Sequence, residues 1–287
     1  MIEITVLGTA AAMPTIRRSL PSIAVRRDGD IFLFDCGEGT QRQMMRFGLS
    51  YMKVRAIFLS HLDLDHFLGI FGLLETMKLN NRTEKLSVCG PPGTKAAIGR
   101  KEFLEITEFG EGFAAAFGGF SIRAFPVKHK PHSFGFVFEE EEKVRFFEDK
   151  ARAAGLSGQM FSEIAEKGAL KVGGKIVKLR DITYRQAGKK LVYTGDTAPC
   201  SEVAKVSKGA DLLIHDCTFG SDREEEAKET QHSTAKDAAK TAKKAGAKKL
   251  ILTHFSGRYA DTSALLAEAR AIFQETLAAE DGMRLEA

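Results

Sequence analysis

The residues best suited to chemistry lie between Ser60 and Gly69, Ser-His-Leu-Asp-Leu-Asp-His-Phe-Leu-Gly, where His61, Asp63, Asp65 and His66 fall close together. Imidazole and carboxylate suit zinc, iron or manganese better than calcium, and two histidines with two aspartates offer more donors than one tetrahedral ion takes. The stretch reads as a metal-binding loop for two ions. A competing reading makes Asp63 or Asp65 the cap of an apolar helix over Phe67 to Leu79, with the histidines incidental. More ligand-type residues follow apolar runs elsewhere: His129 after Phe125-Pro126-Val127-Lys128, Asp196 after Leu191-Val192-Tyr193-Thr194-Gly195, and His254 after Leu250-Ile251-Leu252-Thr253. A lone histidine after a strand is commonplace, but several strand ends delivering the same residue types point to one site.

The elements that must position these residues are short. Ala56 to Leu59 is an apolar run before a polar burst, as expected of a buried strand whose carboxyl end releases the metal loop. Similar runs predict strands near Ile2 to Leu7, Ser22 to Arg26, Ile31 to Phe34, Lys85 to Val88, Phe120 to Pro126, Phe134 to Phe138, Lys190 to Tyr193, Asp211 to Ile214 and Lys249 to Leu252. Between them lie helical patterns, one opened by Ser233-Thr234-Ala235 and closed by Gly246, another from about Thr262 to Leu277. Alternating strands and helices predict a layered α/β protein. Glu139 to Gly188 fits less comfortably, running from acidic through polar to basic with too little apolar content for a core of its own.

Composition narrows the classes. With 287 residues, 44% of them hydrophobic, and no Pro/Gly/Ser linker, one domain spanning 1–287 is expected. The first residues alternate like a strand, with no basic region leading into a long apolar run, and no stretch approaches the roughly 20 apolar residues a membrane span needs. A cytoplasmic protein without a membrane partner is the expectation. Cys36, Cys89, Cys200 and Cys217 are too scattered for a zinc knuckle or redox pair and read as reduced thiols. Net charge is only +4, yet basic residues gather at Lys167 to Lys190 and at Lys236 to Lys249, where they could track a phosphate backbone or merely be solvated.

The loop resembles the metallo-β-lactamase superfamily signature His-x-His-x-Asp-His, with Asp63 in place of its second histidine. Taken with Phe34-Asp35-Cys36-Gly37-Glu38-Gly39-Thr40-Gln41, His215-Asp216-Cys217-Thr218-Phe219, His232-Ser233-Thr234-Ala235 and His254-Phe255-Ser256-Gly257-Arg258-Tyr259, the chain resembles the ribonuclease Z family of tRNA 3′-processing endonucleases. That resemblance implies a four-layered αββα fold, two facing mixed sheets with helices outside. It also implies ligand sets: His61, Asp63, His129 and Asp196 for one ion, and Asp65, His66, Asp196 and His254 for the other, with Asp196 bridging. Asp65 and His232 would be catalytic, His232 protonating the departing 3′ oxygen, with Asp216 or His215 orienting it. Ser256 and Arg258 would contact the nucleotide beside the cut, while His132 reads as solvated. The awkward segment, about 140–190, takes the place of the family's tRNA-binding arm, and a homodimer acting on precursor tRNA is implied.

Two divalent ions acidify water and hold the scissile phosphate. They bring four positive charges; Asp65 and Asp196 leave two, and Asp63 would leave one. Zinc is the first expectation, but oxygen in place of nitrogen tilts the site toward manganese or iron and predicts weaker binding of the first ion. Alternative readings are a phosphodiesterase for small or cyclic nucleotides and a tRNA-binding homologue whose catalysis Asp63 has weakened.

Overall fold

The strands form near their expected ends because their side chains alternate between two buried faces. In Asp30–Phe34, Phe32 and Phe34 enter one apolar cluster and Ile31 and Leu33 another. The computed structural model describes residues 2–286. The chain up to Phe138, together with the chain from Lys190, forms one compact unit; Glu139–Lys189 forms a second.

The larger unit holds two seven-stranded mixed sheets. The first runs Arg284–Glu286, Glu3–Gly8, Ser22–Arg27, Asp30–Phe34, Val54–Phe58, Leu86–Gly90 and Leu104–Glu108 in spatial order. The second runs Thr276–Ala278, Leu250–Thr253, Leu212–Asp216, Lys190–Tyr193, Phe134–Glu140, Phe120–Pro126 and Ala114–Phe117. Their inner faces share one core in which Phe34 stacks on Phe136 and Tyr193, with centroids 5.4 and 5.9 Å apart. Outside the first sheet, Met44, Ile70, Leu73, Leu74 and Met77 bring helices against Ile31, Leu33 and Ile57. Outside the second, the helix Ala235–Ala245 buries Ala235, Ala238, Ala239 and Ala242. The expected αββα layering is what forms. Among the described residues no helix is long and apolar enough to cross a membrane.

Two expectations need correction. The helix expected to reach Leu277 ends at Arg270, and Thr276–Ala278 is instead a strand parallel to Leu250–Thr253. Main-chain pairing at a sheet edge prevails there over helix propensity. The smaller unit also has a core, formed by Ala151, Leu156, Ile164 and Ile182 with Phe146 and Phe161 against them. It comprises the helices Glu148–Ala153 and Met160–Lys167, the antiparallel pair Lys143–Phe146 with Thr183–Gln186, and a hairpin of Ala169–Val172 with Lys175–Lys178. Gly173 and Gly174, at φ +55° and +85°, make that hairpin's two-residue turn in the type I′ form, which requires positive φ at both positions.

A candidate dinuclear metal centre

Each ligand-type residue leaves a strand at its carboxyl end. Val54–Phe58 is followed by the metal loop, Lys190–Tyr193 by Asp196, and Leu250–Thr253 by His254; the latter two strands flank Leu212–Asp216, parallel to both. Backbone torsion completes the aiming, since Asp35 and His254 adopt φ of +59° and +62° and Gly195 turns the chain at +58°. The turn after Asp30–Phe34 is stitched to the metal loop by Cys36 N–H to His66 O, 2.7 Å, and Gly69 N–H to Cys36 O, 2.9 Å. Only glycine fits at 69, because a Cβ there would lie 1.9 Å from the Gly37 carbonyl oxygen.

The donor atoms close into two cages. In the first, Asp63 Oδ2 lies 3.6 Å from His61 Nε2 and 3.7 Å from His129 Nε2, and His61 Nε2 lies 3.6 Å from Asp196 Oδ2. In the second, His66 Nε2 and His254 Nε2 are 3.4 Å apart, each 3.6 Å from Asp65 Oδ2, and 3.2 and 3.3 Å from Asp196 Oδ1. Donors on one tetrahedral ion at zinc-like bond lengths stand roughly 3.3–3.5 Å apart, so both cages are of the right size. Asp196 turns one oxygen to each. Asp63 reaches its cage although its side chain is shorter than histidine's, and as the N-cap of the short helix Leu64–Phe67 it makes no side-chain capping bond.

Hydrogen bonds fix which imidazole nitrogen faces inward. Ser60 Oγ donates its proton to Asp35 Oδ2, 2.8 Å, so His61 Nδ1–H donates to Ser60 Oγ, 2.9 Å. Thr218 Oγ1 donates to Asp216 Oδ1, 2.7 Å, so His254 Nδ1–H donates to Thr218 Oγ1, 2.9 Å. His66 Nδ1–H donates to Asp35, 2.8 Å, and His129 Nδ1–H to the Gln231 carbonyl, 3.2 Å. Every Nε2 lone pair is thereby left for the cage, the arrangement expected of metal-ligating histidines. His61 Nε2, His129 Nε2 and Asp196 Oδ1 are buried with no hydrogen-bond partner among the described residues, which a cation would supply.

Electrostatics favour positive charge there. Burial opposes ionisation of the His66 imidazole, but the Asp196 and Asp35 carboxylates outweigh it and hold its pKa well above the ordinary value. Burial likewise raises Asp196, yet His254, His66 and His61 bring it well below the usual carboxylate range. Hydrogen bonds from His129, His61 and Lys130 lower Asp63, against the cost of burial. A field that favours a proton between these groups favours a metal ion in its place.

Beside the cages, Asp216 accepts from Thr197 N, Thr218 N, Thr218 Oγ1 and His232 Nδ1, the last at 2.9 Å. Burial pulls the His232 imidazole down, but Asp216 prevails and raises it to about 9. His232 lines a cavity of about 460 Å³ with Asp63, His129, Lys130 and Gln231. Of the two candidates, Asp216 is the one that hydrogen-bonds His232; buried His215 bonds instead to the Asp216 carbonyl, 2.8 Å. Ser256 lies on the short strand Phe255–Ser256, paired with Ala10–Ala11, while Arg258 pairs with Glu226. His132 is exposed, at φ +61°.

Residue type and spacing assign no role to Asp35, Ser60, Tyr193, Thr218 or Lys130. Of these only Asp35 carries a signal, an acid directly after the apolar run Ile31 to Phe34.

Comparison with known proteins accords with this geometry. A beta-lactamase superfamily domain matches residues 31–151 and 181–255. The ribonuclease Z of Methanothermobacter thermautotrophicus is 40% identical over all of this chain and 97% of its own, and that of Gemmatimonas aurantiaca is 42% identical over 98% and 94%. The chain belongs to the ribonuclease Z family. Among solved ribonuclease Z structures, human tRNase Z, short form, superposes with a TM-score of 0.71 at 28% identity, covering 99% of this chain and 98% of that one. The metallo-beta-lactamase fold protein YhfI of Bacillus subtilis, at TM-score 0.76 and 20% identity over 100% and 99% of the two chains, shares the fold.

Proposed function

We propose that this member of the ribonuclease Z family is a metal-dependent endoribonuclease that removes the 3′ trailer of precursor tRNA, leaving a 3′-hydroxyl. The observation that carries this reading is Asp196, whose Oδ1 faces His66 and His254 while Oδ2 faces His61. His61, Asp63, His129 and Asp196 would hold one divalent ion, and Asp65, His66, Asp196 and His254 the other. Two such ions, zinc first and manganese or iron in view of Asp63, would polarise the phosphodiester and acidify water.

The chain's own groups do the rest. Asp216 keeps His232 protonated and turned by its Nδ1–H, so the ring's other nitrogen can give a proton to the departing 3′ oxygen. Asp35 holds His66 directly and His61 through Ser60, and so fixes the ligands before substrate arrives. Arg258 and Ser256, a few residues beyond His254, would meet the nucleotide beside the cut, with Arg258 leaving Glu226 for the RNA. The unit Glu139–Lys189, with Lys167, Lys171, Lys175 and Lys178, would grip the tRNA backbone. A cytoplasmic homodimer completes the reading.

The test is precursor tRNA and bis-p-nitrophenyl phosphate assayed side by side with zinc or manganese supplied. Cleavage of the RNA after the discriminator nucleotide is expected. Hydrolysis of the small ester with intact precursor tRNA would replace this reading with a small-molecule phosphodiesterase.

A further inference from the structure

Asp63 carries a partner that the ligand pattern does not require. Lys130 Nζ lies 2.5 Å from Asp63 Oδ2, the same oxygen that faces His61 Nε2 and His129 Nε2. Lys130 directly follows His129 and precedes Pro131, which restricts its backbone to extended conformations. Its side chain is 60% exposed and lines the cavity shared by Asp63, His129 and His232. An ammonium held at the mouth of an active site differs in consequence from one on an open surface.

We infer that Asp63 and Lys130 act as one unit that replaces a neutral imidazole, the ammonium cancelling the charge the carboxylate adds. With two divalent ions, three aspartates leave one net positive charge and Lys130 restores two, the count a histidine at 63 would give without the lysine. A carboxylate has lone pairs enough to accept from an ammonium and ligate an ion together. Lys130 therefore trades affinity for the ion between His61 and His129 against attraction for a phosphodiester anion. The inference rests on the dinuclear reading above and concerns how that centre is tuned.

The two effects have opposite signs, which separates this role from simple structural support. Damage to the loop would weaken metal and substrate together. Removing the ammonium should tighten the metal and weaken the ester. The experiment uses the full chain, titrated calorimetrically with Mn²⁺ after chelation, and bis-p-nitrophenyl phosphate kinetics at saturating Mn²⁺. Lys130→Gln should bind Mn²⁺ at the weaker position roughly tenfold more tightly, the repulsion of a divalent ion by an ammonium a few ångströms away even at water-like screening. Its KM for the ester should rise. Lys130→Arg, which keeps the charge, should resemble the unaltered protein. In an Asp63→His background nothing anchors the ammonium, and Lys130→Gln should change the Mn²⁺ affinity by less than about threefold, as for an ordinary surface charge. An equal change in both backgrounds, or a Lys130→Gln protein with Mn²⁺ affinity unaltered, would overturn the inference while two bound ions left the centre itself standing. Failure of every form to take up Mn²⁺ would remove the dinuclear reading and this inference with it.

Discussion

Replacing Asp35 by Asn tests whether the groups behind the proposed ligands set metal affinity. Asp35 is fully buried and accepts from Ser60 N, 2.7 Å, at Oδ1, and from Ser60 Oγ, 2.8 Å, His66 Nδ1, 2.8 Å, and Tyr193 OH, 2.7 Å, at Oδ2. Asparagine has a single oxygen. If it keeps the three donors at the Oδ2 position, its amide N–H faces the Ser60 N–H, and one bond becomes a contact between donors. An unsatisfied buried donor costs about 1–3 kcal/mol, and the remaining bonds each fall from about 1.5–3 to about 0.5–1.5 kcal/mol on losing the charge. Relief of carboxylate desolvation offsets part of this, leaving a net loss of about 3–5 kcal/mol, the range for breaking a buried ion pair.

Asparagine is the informative choice because Asp35 sits at φ +59°, where Asn is tolerated and Ala is not. Asp35→Ala would add about 1–2 kcal/mol of backbone strain to any electrostatic effect. Calorimetric melting in EDTA should show Asp35→Asn lower by roughly 6–10 °C. Mn²⁺ titration should show roughly 10–100-fold weaker binding. A melting temperature within about 2 °C of the unaltered protein, together with unaltered Mn²⁺ affinity, would mean that the hydrogen bonds to His66 and Ser60 do not hold the ligands in place.

Other perturbations address separate parts of the site. His232→Ala should lower kcat on precursor tRNA by roughly 10²–10⁴ with metal content per subunit unchanged, measured by single-turnover cleavage and elemental analysis. The His232–Asp216 pair raises the imidazole from 6.5 to about 9, so its contribution to stability is fully present below pH 6.5 and is lost as pH rises through about 9. Denaturant midpoints in EDTA should fall over that window, and His232→Gln should flatten the fall. Burial raises the Cys36 thiol to about 12 and Cys89 to about 11, and Cys217 lies well above its ordinary value, so only half-buried Cys200 should react with a thiol reagent in the native protein at pH 8, counted by mass. Glu140 N–H donates to the Lys189 carbonyl, 2.9 Å, so a short linker can replace residues 141–188. That deletion should abolish cleavage of precursor tRNA while the ester is still hydrolysed at a comparable rate.

What the sequence makes legible follows chemical selectivity. Few residue types ligate divalent metals, and strands ending in His or Asp are conspicuous against apolar runs, so His61, Asp65, His66, His129, Asp196 and His254 stand out by residue type and position alone. The groups that orient them do not, because an imidazole N–H is satisfied equally by a carboxylate, a hydroxyl or a main-chain carbonyl. Asp35, Ser60, Thr218 and the Gln231 carbonyl fill that one role with different chemistry. The core of Glu139–Lys189 escapes notice for a related reason. Ala151, Leu156, Ile164 and Ile182 are spread through a polar segment, and no short window shows them together.

Lys130 marks the limit most clearly. A lysine after a histidine is solvated by default, and only the 2.5 Å approach to Asp63 gives it meaning. The charge count from the proposed ligands, with Asp63, Asp65 and Asp196 leaving one net positive charge on two ions, predicts a centre weakened for phosphate. It omits a group that no ligand pattern includes. Departure from a metal motif therefore has to be judged with the neighbours of the departing residue, since the field at the substrate depends on every charge within a few ångströms and not on the ligands alone. On that ground Asp63 is compatible with a working hydrolase, and Asp63→His in the presence of Lys130 should give less than the large gain in precursor tRNA cleavage expected of a decayed site. A gain of roughly a hundredfold or more, the scale associated with restoring a full catalytic group, would show instead that Asp63 had disabled the centre.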